Sequence, residues 1–246
     1  MTFNLRYDNE TDGIHSWSLR QDALVKMIRK HQADVIGTQE TSDTIFAFLQ
    51  ARFPEYVLVG DGRNEDRTGE RCTIMIRKER YTVLKTETVW LNGDFHKTGD
   101  LDPREGFARI CTMALIQDKK TLQKIRLFNC HLAYQSPFVI RRNGSQLLKY
   151  ILSFKKTKIP FLLTGDFNSN LDKPLHQPLL RRYKEVYLSL DQTRPNTFHA
   201  YGDPQGLDAI DFIYTDTLSF TSVTTDTATF DGLYPSDHYP VIAELP

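Results

Sequence analysis

Apolar and polar positions follow two different periods along the chain, and together they predict a mixed α/β protein. Over 18–31 the apolar residues recur at helical spacing, which indicates an amphipathic helix. Ser18 and Gln21 have the spacing of a capping box at its start. The same period predicts further helices over 43–51 and 138–154.

Short apolar runs bounded by polar residues predict strands between and after these helices. Helices and strands alternate in the first half, whereas the last third is rich in strands, and this order favours two sheets packed together and flanked by helices. The chain opens in a strand at 1–5, and the other predicted strands are 33–37 leading to Gln39 and Glu40, 72–78, 110–118, 125–132, 159–168, 196–201, 209–215, 220–228 and 240–245.

The composition is that of one globular domain spanning 1–246. Apolar residues make up 40% of the chain, which argues against disorder, and 246 residues suffice to bury a substantial core. Lys plus Arg equal Asp plus Glu at 31 each, so the net charge is zero and the totals carry no basic footprint for nucleic acid. No linker, low-complexity tract or short repeat divides the chain.

Neither a disulfide scaffold nor a membrane segment is expected. Cys72, Cys111 and Cys130 are odd in number and lie among apolar residues, which favours small buried residues over disulfides or a zinc site. No apolar run is long enough to span a bilayer. No signal peptide precedes the first motif, so a cytoplasmic location is the default expectation, with export left open if the N-terminus was trimmed. A monomer is the default expectation for the oligomeric state.

Six predicted strands end in polar residues of the kinds that carry catalysis. A single Asp after a strand usually serves a turn. Six such strand ends are instead typical of reacting groups placed on a rigid scaffold. The residues are Asn4, Glu40, His131, Asp166 with Asn168, Asp211, and Asp237 with His238.

These residue types suit phosphoryl chemistry. Mg²⁺ prefers carboxylate oxygens, and Glu40 and Asp237 are the candidates to bind it. Asp166 is the candidate to orient or deprotonate an attacking water, with Asn168 as a neutral donor to a phosphate oxygen.

A histidine is expected to complete the site. His238 can donate to developing negative charge if a carboxylate fixes its tautomer and favours its protonated form. Asp211 lies in an apolar strand, where an unpaired carboxylate is costly, and it is the candidate partner.

The motifs TFNLRYDN, IGTQE, FNCHL, GDFNS, IDFIY and SDHYPV, in this order over 2–241, resemble those of the endonuclease/exonuclease/phosphatase superfamily. The opening NLRYDN with Trp17 resembles a bacterial branch of it. The resemblance implies a DNase I-like fold, which is a four-layer α/β sandwich of two mixed β-sheets packed face to face and flanked by helices. It also implies a site at one edge of the two sheets.

The resemblance implies roles for individual residues. Glu40 corresponds to a metal-binding glutamate with Asn4 as a supporting asparagine, and Asp237 corresponds to a metal-side carboxylate. Asp166 and Asn168 correspond to a pair that aligns the nucleophilic water. His238 corresponds to a phosphate-contacting histidine, and Asp211 to its aspartate partner. Three further residues resemble a second histidine of the site (His131), the glutamate that pairs with it (Glu70) and an arginine of the cleft (Arg109).

One segment departs from the family pattern. This chain has HLAY where related sequences often have HLDH or HLDN, so Ala133 and Tyr134 leave open how the segment contacts the leaving group. Arg109 is equally compatible with a structural ion pair. Other residues are expected to have ordinary structural roles, namely His15, His31, His96, His176 and His199 at the surface or the edge of the core, and Asp208 and Asp216 in loops. For Tyr7, Trp17, Trp90, Phe107 and Tyr201 ordinary packing is favoured, and lining of a cleft is the alternative.

The predicted function is hydrolysis of a phosphomonoester or phosphodiester with Mg²⁺ or Mn²⁺ as cofactor. The substrate stays open among nucleic acid, nucleotide-like diesters, inositol phosphates and sphingomyelin. One alternative is a binding or scaffold protein that kept the fold without catalysis, although each expected acidic residue is present. A glycosidase with a carboxylate pair would not need the Asn and His pattern.

Overall fold

The computed structural model describes residues 1–203, 205 and 207–246, and within them the chain forms two six-stranded sheets. The strands are β1 (Thr2–Asn4), β2 (Val35–Thr41), β3 (Tyr56–Val59), β4 (Arg71–Arg77), β5 (Tyr81–Trp90), β6 (Ile110–Asp118), β7 (Lys124–His131), β8 (Phe161–Asp166), β9 (Lys184–Glu185), β10 (Asp211–Thr215), β11 (Ser222–Thr225) and β12 (Val241–Glu244). The α-helices are α1 (Trp17–His31), α2 (Asp43–Arg52), α3 (Pro137–Ser153), α4 (Gln177–Leu180) and α5 (Val186–Ser189), and short 3₁₀ turns occupy Glu10–His15, Lys155–Thr157 and Ala200–Gly202.

Both sheets are mixed and are built around one parallel pair of strands. The strand order is β11-β12-β1-β2-β4-β3 in the first sheet and β5-β6-β7-β8-β10-β9 in the second. β1 is parallel to β2 and β7 is parallel to β8, whereas the other neighbours are antiparallel. Parallel strands need a crossover connection, and α1 and α3 provide these two connections.

Apolar clusters hold the layers together, and three of them show the arrangement. Leu24 and Ile28 of α1 belong to one cluster with Phe3 of the first sheet, and Leu147 of α3 belongs to another with Phe128 of the second. Between the sheets lies a third cluster, made by Ile74, Ile76, Tyr81, Ala114, Ile116 and Leu127. Burial of one such aliphatic side chain contributes about 1.5–3 kcal/mol. The predicted four-layer α/β sandwich is therefore confirmed.

The two sheets approach closely near the ends of β2 and β8. A Cβ added to Gly37 would lie 2.1 Å from the Thr164 Oγ1 atom of the opposite sheet. Buried Asn129 of β7 spans the same gap, because its Nδ2 donates to the Thr38 carbonyl oxygen at 2.8 Å. Its Oδ1 accepts from Gln39 Nε2 at 2.6 Å. These contacts fix the ends of strands from different sheets relative to one another.

Some local predictions are wrong. The capping box at Ser18 and Gln21 does not form, because α1 already begins at Trp17 and places Ser18 inside its first turn. The strand predicted over 196–201 reduces to isolated bridges of Phe198. A 3₁₀ turn follows at Ala200–Gly202 and ends the extended conformation.

The ten-residue strand β5 was missed. Its middle contains exposed Lys85 and Thr86, and a register irregularity between Val83 and Lys85 interrupts the alternation of apolar and polar positions. Such a pattern suits an edge strand, of which one side faces water. In the part of the chain that the structure describes, no helix is long and apolar enough to cross a bilayer.

Candidate active site

A cavity of about 710 Å³ lies where strands of both sheets end. Eight of the residues predicted from the motifs line it: Glu40, Glu70, Arg109, His131, Asp166, Asn168, Asp237 and His238. The two others, Asn4 and Asp211, are fully buried beneath it and are bonded to residues of the lining. The motifs therefore identified residues that the fold brings together.

Glu40 reaches the cavity from an irregular end of β2. The pairing of β2 with β4 shifts register between Thr38 and Thr41, and Glu40 has a φ of 56°. Such backbone costs a residue with a side chain about 1–3 kcal/mol, and it persists where the surroundings fix it. Here Glu40 Oε1 accepts from Asn4 Nδ2 at 3.1 Å and Oε2 accepts from the backbone N–H of Tyr7 at 3.0 Å. Both carboxylate oxygens are thus held in place.

Asn4 connects the carboxylates of the two sheets. Its Nδ2 also donates to Asp166 Oδ2 at 2.9 Å, while its Oδ1 accepts from the backbone N–H of Arg6 at 2.9 Å. The side-chain amide therefore has both its donor and its acceptor groups engaged. Asn4 therefore links Glu40 to Asp166 through one nitrogen atom.

Asp166 ends β8 and lies among ionisable neighbours. In the sheet it is paired with His131 of β7 and with Asp211 of β10, and its Oδ1 accepts from the backbone N–H of Asn168 at 2.8 Å. The Nε2 atoms of His131 and His238 lie 3.5 and 3.9 Å from Asp166 Oδ2. Burial, and then the Asp211 charge, raise the pKa of Asp166 above its usual range. A carboxylate with a raised pKa is better suited to accept a proton near neutral pH.

His238 is held by Asp211 on the side away from the cavity. His238 Nδ1 is hydrogen-bonded to Asp211 Oδ2 at 2.9 Å, and its Nε2 lies 4.0 Å from Asp237 Oδ1. Burial alone would lower the pKa of His238, but Asp211, with smaller contributions from Asp237 and Asp166, raises it to about 10. The imidazole is therefore cationic at neutral pH and presents an Nε2–H donor to the cavity. The Asp211 pairing predicted from the sequence is present.

Glu40 and Asp237 have the chemistry of a site for a hard cation. Burial raises the pKa of Asp237; among its neighbours, His238 lowers this pKa and Glu40 raises it. Asp237 is buried and Glu40 is half-buried. Two carboxylates that repel one another fit a divalent ion, and oxygen ligands suit Mg²⁺. Asp166, Asp211 and His238 also place ligand atoms within 4.8 Å of one another. In that group, however, His238 Nδ1 is already hydrogen-bonded to Asp211. This hydrogen bond favours a role of the group in proton transfer over the binding of a cation.

His131 and Glu70 do not form the pair that the family resemblance implied. Glu70 instead bonds Arg63, whose Nη1 lies 3.0 Å from Glu70 Oε2. His131 is buried, and burial together with the charges of Arg109 and Arg63 holds its pKa well below the usual range. His131 is therefore a neutral imidazole beside Asp166. The loop of Arg63 gave no motif in the sequence that could have predicted its ion pair.

Arg109 both lies in the cleft and forms a structural ion pair, which are the two interpretations that the sequence left open. It lines the cavity, and its Nη2 donates to Glu105 Oε1 at 2.9 Å, with both side chains buried. Glu105 was not predicted, because it lies in a loop without a recognisable pattern.

Further residues contribute to the cavity or lie differently from the expectation. Tyr7 and Phe107 line the cavity, which was the alternative for these rings, and so does Asp208 in the loop before β10. The Phe198 ring packs on that of His238, with 5.0 Å between their centroids. His176 and His199 were expected at the surface or the edge of the core, and both are instead fully buried.

Comparison with known proteins defines the class of the molecule. The model of the Endonuclease/Exonuclease/phosphatase family matches residues 1–238, so the chain belongs to this family of phosphoric ester hydrolases. An endonuclease/exonuclease/phosphatase from Bacteroides vulgatus superposes with a TM-score of 0.92 at 28% identity, over 100% of this chain and 97% of that one.

Other relatives vary in their described activities. A mannosyl-6-phosphatase from Bacteroides thetaiotaomicron has a TM-score of 0.92 at 22% identity, over 100% and 98% of the two chains. TDP2 from D. rerio, complexed with a single-strand DNA product, has a TM-score of 0.75 at 17% identity, over 98% and 96%. At these identities the likeness shows the fold alone. The Arabidopsis thaliana carbon catabolite repressor protein 4 homolog 3 is 27% identical over 177 residues, which are 69% of this chain and 37% of that longer protein.

Proposed function

We propose that the protein hydrolyses a phosphomonoester or phosphodiester by in-line attack of a water molecule. The observation that carries the proposal is the arrangement around Asp166. Its carboxylate lies within 3.5 and 3.9 Å of two imidazoles, and Asn4 links it to Glu40. A base, donors for negative charge and a cation site are thus held within one cavity.

Glu40 and Asp237, with Asn4 in support, would hold Mg²⁺ or Mn²⁺. When bound, the ion supplies positive charge that stabilises the phosphoryl oxygens and the leaving group. Glu40 retains lone pairs for this role, because an ionised carboxylate offers about four acceptor sites and only two are used by Asn4 and Tyr7.

The remaining chemistry belongs to the chain itself. Asp166 orients the attacking water and accepts its proton. His238, held cationic by Asp211, donates from Nε2 to a phosphoryl oxygen, and neutral His131 donates from the other side. The Asn168 amide and the Arg109 guanidinium add donors, and the backbone N–H of Asn168 keeps Asp166 in place.

A panel of phosphomonoesters and phosphodiesters tests the proposal, assayed with Mg²⁺, with Mn²⁺ and with EDTA. We expect cation-dependent turnover on at least one ester. Asp166→Asn should lower kcat by about 10²–10⁴-fold, the usual contribution of a general base, without loss of the folded state by circular dichroism. Full activity of this variant on the ester that the wild-type protein hydrolyses would overturn the mechanism. Absence of turnover on the whole panel would favour a non-catalytic binding protein.

A further inference from the structure

Two aromatic side chains in the wall of the cavity are unusually open to solvent. Phe107 and Tyr134 are 40% and 53% exposed, and both line the cavity that contains Asp166. None of the catalytic steps above uses either ring. Exposed rings at a reaction site are typical of surfaces on which a ligand ring stacks.

Arg109 lies close to both of these rings. Its guanidinium carbon is 5.8 Å from the Phe107 ring centroid and 5.6 Å from that of Tyr134, distances at which a cation is attracted to an aromatic ring. We propose, on the basis of the hydrolase activity above, that Phe107, Arg109 and Tyr134 form a stacking subsite that binds a ring carried by the leaving group of the substrate.

One buried carboxylate holds the stacking subsite in shape. Glu105 Oε1 accepts from Arg109 Nη2 at 2.9 Å and from the backbone N–H of Tyr134 at 3.0 Å. Glu105 Oε2 accepts from the backbone N–H of Gln135 at 3.2 Å. A surface held in place before binding loses little conformational freedom when the ligand arrives. Glu105 is therefore a positioning residue for the subsite.

The charges of the subsite indicate what it recognises. Glu105 balances Arg109, and Glu70 balances Arg63, whose guanidinium lies 4.7 Å from the Phe107 ring. A surface with this balance offers little net attraction to a second phosphate group. It is suited to a neutral ring, either a nucleobase or a sugar, and an open-chain leaving group would gain little from it.

Substrates with the same ester type but different leaving groups distinguish recognition of a nucleobase from recognition of a sugar. The assay takes the ester class that the wild-type protein hydrolyses and compares a nucleoside ester, a hexose ester and a glycerol ester. Tyr134→Ala should lower kcat/KM by about tenfold on the preferred ring ester, as expected for loss of one stacking contact. The glycerol ester should be unaffected, Tyr134→Phe should retain the wild-type preference, and the ring ester with the larger loss identifies the ligand.

Phe138→Ala is the matched control, because Phe138 is also an exposed aromatic residue but does not line this cavity. Equal losses on all three esters, or no loss on any, would overturn the stacking subsite. Absence of wild-type turnover on every ester would instead refute the hydrolase proposal.

Glu105→Gln tests the positioning role separately. We expect KM for the preferred ring ester to rise more than KM for the glycerol ester, while any effect on kcat through Arg109 is the same for both esters. An equal rise in KM on both esters would show a general structural role and would contradict the assignment of Glu105.

Discussion

Asn4 Nδ2 lies 2.9 Å from Asp166 Oδ2, although the two residues are 162 positions apart and belong to different sheets. The same nitrogen donates to Glu40. One amide group thus links the proposed cation side of the site to the proposed water side. The site depends on how the two sheets are fixed together as well as on its own charged residues.

Asn4→Ala should reduce both stability and turnover. The substitution leaves two carboxylates without a shared donor in a buried place, and an unsatisfied buried acceptor costs about 1–3 kcal/mol. Urea denaturation measures the free energy of unfolding, and kcat on the best ester of the panel measures turnover. Asn4→Asp should lower turnover further than Asn4→Ala, because it adds a third carboxylate. Turnover of Asn4→Asp above that of Asn4→Ala would contradict this account.

Asp211→Asn should move the alkaline limit of activity to lower pH. Asp211 is the main group that raises the pKa of His238 to about 10. Because the proposed role of His238 requires its protonated form, activity should be lost as pH rises through this pKa. Removal of the Asp211 charge lowers the pKa and moves the alkaline limb of the kcat profile to lower pH. An unchanged alkaline limb would show that protonation of His238 does not limit the reaction.

Divalent ions should stabilise the folded protein through Glu40. A ligand at 100 times its Kd adds about 2.7 kcal/mol to the free energy of unfolding, so Mg²⁺ or Mn²⁺ should raise the Tm of the wild-type protein. Glu40→Gln should abolish this rise in differential scanning calorimetry. Glu79→Gln, a change of an exposed glutamate, is the control and should respond as the wild-type protein does. An equal rise in Glu40→Gln would place the cation elsewhere.

His176 should make the fold sensitive to acid. Its Nδ1 is hydrogen-bonded to the Tyr214 hydroxyl at 2.7 Å and its Nε2 to the Ser169 carbonyl at 2.9 Å, and burial lowers its pKa to about 4. An unfolded histidine titrates near 6.5. Between these two values the unfolded chain binds a proton that the folded chain does not. The contribution of neutral His176 is therefore complete above pH 6.5 and is lost as pH falls towards 4.

The free energy of unfolding, measured in urea at several pH values, should accordingly fall across this window. His176→Gln should show a shallower fall than the wild-type protein. Replacement of exposed His96 by Gln should leave the slope unchanged. Equal slopes for the wild-type protein and His176→Gln would show that other groups control the acid response.

The strand-end motifs identified much of the centre of the site from sequence, because they combine position with chemistry. GDFN at the end of β8 and SDH before the start of β12 place their polar residues at one edge of the sheets, and the family resemblance supplied the roles of these motifs. Asp211 could also be paired correctly with His238, since an isolated carboxylate in an apolar strand requires a partner.

The walls of the cavity could not be predicted in the same way. Arg63, Glu105 and Phe198 come from irregular segments, where neither period of the apolar pattern applies. Glu105 and Arg109 bond across a loop rather than along a helix, so their spacing in sequence carried no structural meaning. Glu70 was assigned to His131 by resemblance, whereas the choice of Arg63 depends on a loop geometry that only the folded chain defines.

Gly37 has a mechanical consequence for the chemistry. Because no side chain separates it from Thr164, the distance between the sheets at this edge is set by direct contact in the interior. Packing in the core therefore also affects the distance between Glu40 and Asp166. In the proposed reaction a phosphoryl group must fit into this gap. Gly37→Ala would add a methyl group here, push the two sheets apart and widen the site. No residue that touches the substrate would be changed.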